Sequence, residues 1–157
     1  MASAHLKAVL IGAVAGMRCF SALAFTSRRL SNEPSQAIRD SNLSFLNSDI
    51  VLNGISAAAA GELICDKTSF IPDRIAPGPI ACRAISGAVC GAVIFTEEKK
   101  DPFLGAAIGG LSAIAAAHLF FRLRRELTTT YKLPDTAVAL CEDALMVGFG
   151  LLTGTRD

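Results

Sequence analysis

Apolar and polar residues separate along the chain into long blocks. Five apolar segments stand between polar stretches: about His5 to Phe25, Asp49 to Cys65, Pro79 to Thr96, Pro102 to Phe121 and Thr136 to Thr153. Crossing a bilayer takes about 20 helical residues, within a range of roughly 17 to 25. Only the fourth segment, PFLGAAIGGLSAIAAAHLFF, meets that length with no acid or base inside it. The others are interrupted by Arg18, Glu62, Arg83 and the adjacent pair Glu142 and Asp143. The pattern predicts an all-α, polytopic membrane bundle of about five short Gly/Ala-rich transmembrane helices, as a single domain over residues 1–157.

The breaks between segments are well marked. TSRRLSNEPSQAIRDSNLSFLNSD is polar and long enough for a short interfacial helix, and DKTSFIPDRIAPGP carries three prolines that separate two helices. TEEKKDP reads as a tight charged turn, with Pro102 suited to the first turn of the next helix. RLRRELTTTYKLPD reads as a basic loop before the last span. A short apolar run after Lys7 and the Ala22-Leu23-Ala24 triplet imitate a cleaved signal, but Arg18 interrupts that run, so no cleavage is expected.

Composition sharpens this picture. Hydrophobic residues make up 52% of the chain and charged residues 18%, against about 25% charged in an average soluble protein. The net charge of +1 lacks the clustered positive excess that phosphate binding needs, so nucleic acid is not an expected partner. The five cysteines, at 19, 65, 82, 90 and 141, include no CxxC pair. All lie in or beside apolar segments, where a thiol packs as a small hydrophobe, so no disulfide framework is expected. With the N-terminus inside, the inner loops hold Lys67, Arg74, Arg122, Arg124, Arg125 and Lys132, and the outer loops Arg28, Arg29, Arg39, Lys99 and Lys100. That slight excess favours an inside N-terminus.

Small residues four apart let membrane helices approach closely where Leu against lipid gives no drive to associate. Gly12 and Gly16, Gly87 and Gly91, Gly105 and Gly109, and Gly150 and Gly154 have this spacing, and the second segment pairs Ala57 with Gly61. A faint repetition accompanies it. AFTSRRL closes the first segment and LFFRLRREL the fourth, while GEL in the second matches CEDAL in the fifth. If both pairings hold, an inverted repeat results, an arrangement transporters often use.

The charges inside the segments are the candidate site. An ionised side chain at mid-bilayer costs roughly 2.5 to 3.5 kcal/mol on insertion scales, so each needs a partner or water. Glu62 and Asp66 share a helix face four residues apart, with Asp66 at the interface. Glu142 and Asp143 diverge by about 100°, and Glu142 is the expected buried member. Arg18 and Arg83 are the expected counter-ions. The four residues Arg18, Glu62, Arg83 and Glu142 form either a neutral brace that sets helix register or a proton or ion path. His118, beside Phe120, Phe121 and Arg122, reads as interfacial, and His5 lies at the far terminus. No metal site, cofactor or catalytic residue is expected, and no enzymatic activity, since no nucleophile, phosphate-loop or zinc-protease motif occurs.

GMRCFSAL in the first segment, GELICDK closing the second, the IPDR turn, Arg83 with SGAVCGA in the third, and CEDAL in the fifth follow in that order. Together they resemble a family of small bacterial membrane proteins, domain of unknown function 4126. The resemblance spans nearly the whole chain. It implies a multi-pass location in a bacterial inner membrane and marks Glu62, Asp66, Lys67, Glu142 and Asp143 as recurring polar positions, without giving them a role. Two functional classes remain. One is a small transporter or channel for an ion, a proton or a small solute, using Glu62 and Glu142 with Arg18 and Arg83, and conducting as a homo-oligomer. The other is a structural or assembly protein that oligomerises through its small-residue helix faces in the lipid bilayer.

Overall fold

The computed structural model describes residues 3–32, 36–39, 41, 43–65 and 77–154, and the regular structure among them is helical throughout. The elements are α1 (Ala4–Met17), α2 (Cys19–Asn32), α3 (Gln36–Arg39), a 3-10 turn at Ser44–Asn47, α4 (Asp49–Cys65), α5 (Pro77–Glu97), α6 (Pro102–Thr129) and α7 (Asp135–Gly154). Three helices, α5, α6 and α7, are long and apolar enough to cross a membrane, while α1 and the apolar part of α4 are shorter.

The first apolar segment is the main departure from the five-span expectation. Ser3 caps α1, its side chain accepting from the Leu6 N–H, and the helix stops at Met17 because Arg18 turns extended at φ −146° and ψ 120°. The Arg18 N–H still closes on the Val14 carbonyl at 2.8 Å. Beyond this single residue the chain reverses. The His5 ring lies 5.2 Å from that of Phe95, near the end of α5. Cys19 is bonded to Cys82 near the start of α5, and Arg29 returns to Glu97 at its end. Residues 5–25 are therefore a helical hairpin with its tip at Arg18 and Cys19, not one span. Each arm of 14 residues reaches about 21 Å, short of a bilayer core of about 30 Å.

That reversal also removes the basis for the inside N-terminus. The start of α1, the end of α2 and the turn at Lys99 and Lys100 lie at one end of the bundle, whereas the expected topology had separated the first two. The hairpin also complicates the suggested repeat, because α1 runs parallel to α6 and α2 runs antiparallel to it. No single unit of the first segment corresponds to the fourth.

The core is the crossing of α1, α5 and α6. A Cβ on Gly12 would sit 2.5 Å from the Gly109 carbonyl oxygen, and so would one on Gly87. Gly91 and Gly105 face each other's carbonyls more closely still, and Gly16 faces the Ala113 carbonyl. Nothing larger than hydrogen fits at these approaches, so three backbones come together where Leu or Val would hold them apart. Ala8, Ile11, Val14, Ala15, Cys90, Ile94, Phe95 and Ala113 are buried around this crossing. A second cluster of Leu30, Ile38, Leu46 and Val93, with Val51 and Ile55 against it, seats the segment from α3 to α4 on α2 and α5.

Between α5 and α6 the charged turn forms as expected. Lys99 adopts φ 54°, the Lys100 N–H closes on the Phe95 carbonyl at 2.8 Å, and Asp101 caps α6 by accepting from the Phe103 N–H at 3.0 Å. Pro102 occupies the first turn. The RLRREL stretch, expected as loop, continues α6 instead. At 28 residues, α6 is about 42 Å long, roughly two turns more than a hydrocarbon core of about 30 Å requires, and its C-terminal part carries Arg122, Arg124 and Arg125.

Candidate functional site

Ion pairs join α7 and the hairpin to their neighbours. At the hairpin tip, Arg18 donates from Nη2 to Asp143 Oδ1 at 2.7 Å and from Nε to the same oxygen at 3.1 Å. The arginine side chain is 7% exposed and the aspartate 26%. On the side of α7 toward α6, Arg124 holds Asp135 at 2.7 Å and reaches Glu142 at 3.5 Å. At the opposite end of the bundle, Arg29 of α2 meets Glu97 of α5 at 2.8 Å, with side chains 11% and 4% exposed. Arg29 Nη1 also donates to the Thr153 carbonyl at 2.8 Å, which ties the end of α7 to the same pair.

These contacts rearrange the expected site. Glu142 is buried, as read from its neighbours, yet the partner of Arg18 is the adjacent Asp143, while Glu142 faces Arg124. The two acids diverge around α7 as helix geometry requires, one toward the hairpin and one toward α6. Arg83 is buried on α5, next to Cys82. Glu62 belongs to the last turn of α4, but its side chain lies outside the described residues, as does Asp66. Among the described residues Arg18 pairs with Asp143 and Arg124 with Glu142; the expected brace of Arg18, Glu62, Arg83 and Glu142 turns on the Glu62 side chain, which lies outside them.

Among the glycines, Gly12, Gly16, Gly87, Gly91, Gly105 and Gly109 lie at the three-helix crossing, and a Cβ on Gly150 would meet the Phe25 ring at 2.6 Å. Gly61 faces open space, with nothing within 4 Å, and so does Gly54 one face up the same helix. Gly154 closes α7.

Arg29 and Glu97 are the pair that sequence reading missed, having placed one in a loop and the other in a charged turn. Helical spacing carried the signal. Ala22, Thr26 and Leu30 are buried on α2 and Arg29 shares their face; Cys90, Val93 and Ile94 are buried on α5 and Glu97 continues theirs. Reading the apolar face past Phe25 and Thr96 places both charges on it. The pair lines a cavity of about 10 Å³ with Ile11, Thr26, Leu30 and Thr153, room for roughly one water.

The cysteines also depart from expectation. Cys90 packs as a buried free thiol, but Cys19 and Cys82 are joined in a disulfide across 63 residues, with Cα atoms 6.3 Å apart. Ser86 Oγ donates to the Cys19 carbonyl at 2.6 Å, tying the start of α2 to α5. Among the described residues no group of three or more His, Cys, Asp or Glu could hold a metal ion. His118 is exposed on α6, its Nδ1 2.9 Å from the Ile114 carbonyl.

Chemically, the arrangement is a set of carboxylates held by guanidinium groups that never lose their protons. Neither a curated protein nor a solved structure matches the chain. The family model described as domain of unknown function (DUF4126) matches residues 6–154, and the chain belongs to that family.

Proposed function

We propose that the protein is a small multi-pass transporter or channel of a bacterial inner membrane, moving a proton, an ion or a small solute, with the contact of Arg18 and Asp143 as its working site. One observation carries this reading: a helical hairpin reverses within the bundle on a buried arginine, and that arginine is held by a carboxylate on a membrane-spanning helix. Broken helices at membrane depth leave backbone groups that must be satisfied by protein or by a water-lined path. Buried ion pairs contribute little net stability, and charges kept in a membrane interior commonly mark pathways. Transporters use half-helix ends at such breaks to hold charged cargo. In this reading, movement of the hairpin tip opens the path. No chemical reaction is part of the proposal.

Ion flux in proteoliposomes tests it, with the native protein set against Asp143→Asn, Glu142→Gln and Glu62→Gln. Loss of a measurable flux in Asp143→Asn, with native helix content, supports the site. Flux no greater than in empty liposomes for protons, sodium, potassium and chloride would overturn it.

A second reading, assembly through small-residue faces, has its own observation. On α4, Gly54, Ser56, Ala57 and Ala60 are exposed along one side, and nothing lies within 4 Å of Gly54 or Gly61. A second copy packing there would give a homo-oligomer, and Gly54→Leu would then reduce the oligomer to monomer in subunit-counting photobleaching.

A further inference from the structure

The disulfide sits at the one place where the hairpin can be held or released. Cys19 is the first residue of α2, directly after the non-helical Arg18, and Cys82 belongs to α5. The attachments of this tip include the disulfide, the Arg18 contact to Asp143, and the Ser86 hydrogen bond to the Cys19 carbonyl. The latter two are reversible polar contacts, and the disulfide alone is covalent. Its two sulfurs differ in access. Cys19 is 5% exposed, whereas Cys82 is only partly buried. Cys82 also lies five residues into α5 from Pro77, about 7.5 Å of helix rise, within reach of a reagent at the headgroup level.

We infer that the Cys19–Cys82 bond is a thiol-exchange site that locks and unlocks the hairpin tip, with a soluble thiol compound as its reductant. The thiolate of the reductant attacks Cys82 Sγ and the Cys19–Cys82 bond breaks, its electron pair leaving on Cys19 Sγ. That sulfur departs at the N-terminal end of α2, where backbone N–H groups free of helical partners stabilise negative charge. A second thiolate then attacks the reductant's sulfur in the mixed disulfide, releasing Cys82. Two thiols become one disulfide, two electrons pass to the protein, and the two protons end on Cys19 and Cys82. The reduced tip then keeps only non-covalent contacts, those of Arg18 and Ser86 among them, so the contact to Asp143 gains freedom to open.

The test uses the full chain in detergent, isolated with thiols blocked from the moment of lysis. Peptide mapping is expected to recover a linked Cys19–Cys82 peptide, and millimolar reduced glutathione is expected to open that link while the protein stays folded. Hydrogen exchange over residues 17–22 is expected to rise by about tenfold or more on opening, the size of a local unfolding change. The Cys19→Ser, Cys82→Ser double variant is expected to show the same raised exchange without glutathione; should it fail to fold, the glutathione arm on the native protein decides alone. Absence of the linked peptide overturns the proposal. So does a link that resists glutathione until the protein is denatured, which makes it a permanent staple, and so does opening without any change in exchange.

Discussion

Arg18 and Asp143 stand 125 residues apart in the chain, and a guanidinium nitrogen of one lies 2.7 Å from a carboxylate oxygen of the other. Their contact fastens the tip of a short helical hairpin to the middle of α7. Removing one partner leaves the other charge buried, whereas removing both leaves a packing problem only. Asp143→Asn is expected to destabilise the fold by about 3 kcal/mol, and the double variant Arg18→Met, Asp143→Leu to recover most of that loss. The chain has no Trp, so circular dichroism during denaturation in detergent is the suitable measurement. Equal losses in the single and double variants would show that the pair itself is not what holds the tip.

Two adjacent glutamates should respond by very different amounts. Glu97 is 4% exposed against Arg29, and Glu98 is 34% exposed beside Lys100. Glu97→Gln strands a buried arginine and is expected to cost about 3 kcal/mol. Glu98→Gln removes a surface pair and is expected to cost less than about 0.5 kcal/mol, with the difference vanishing in high salt. Parallel melts of the two variants at low and high salt compare them directly.

Glycine to alanine substitutions separate the crossing from the uncovered helix. At Gly87 the new methyl would lie 2.5 Å from the Gly109 carbonyl oxygen and 2.8 Å from the Ala113 methyl, and at Gly54 it meets nothing within 4 Å. Gly87→Ala is expected to destabilise by about 1 to 3 kcal/mol through overpacking. Gly54→Ala is expected to stabilise α4 by about 0.5 to 1 kcal/mol, since alanine restricts the unfolded chain and costs no clash. A stability curve for each variant gives the two signs.

Lys99 holds a left-handed backbone conformation at φ 54° between α5 and α6. Its side chain is exposed, so Lys99→Gly removes the strain without losing packing. A gain of about 0.5 to 1 kcal/mol is expected, read as a raised melting midpoint; a loss would mean that the lysine side chain itself stabilises the turn.

The hydrophobic pattern determined a good part of this molecule. It predicted an all-helical apolar bundle, the long fourth helix, the tight turn closed by Pro102, and a buried Glu142. These are legible because they rest on local quantities: run length, turn residues, and which neighbours surround an acid on its own helix. The resemblance carried by short motifs located the family for the same reason, since the motifs are contiguous in sequence.

What the chain's own pattern left open is set by pairing across the bundle. Whether residues 5–25 span the membrane or fold back depended on one extended residue, Arg18, and on partners at Asp143 and Cys82 far along the chain. Hydropathy averages over such a break, because a helical hairpin and a straight span have the same composition. The choice between Glu142 and Asp143 as the partner of Arg18 likewise depends on which side of α7 faces the hairpin. The burial of Arg29 and Glu97 depended on apolar faces running past the ends of their hydrophobic blocks. Sequence determines which residues must find partners in a membrane; three-dimensional packing decides which partners they find, because a charge in low dielectric is settled by the nearest opposite charge in space.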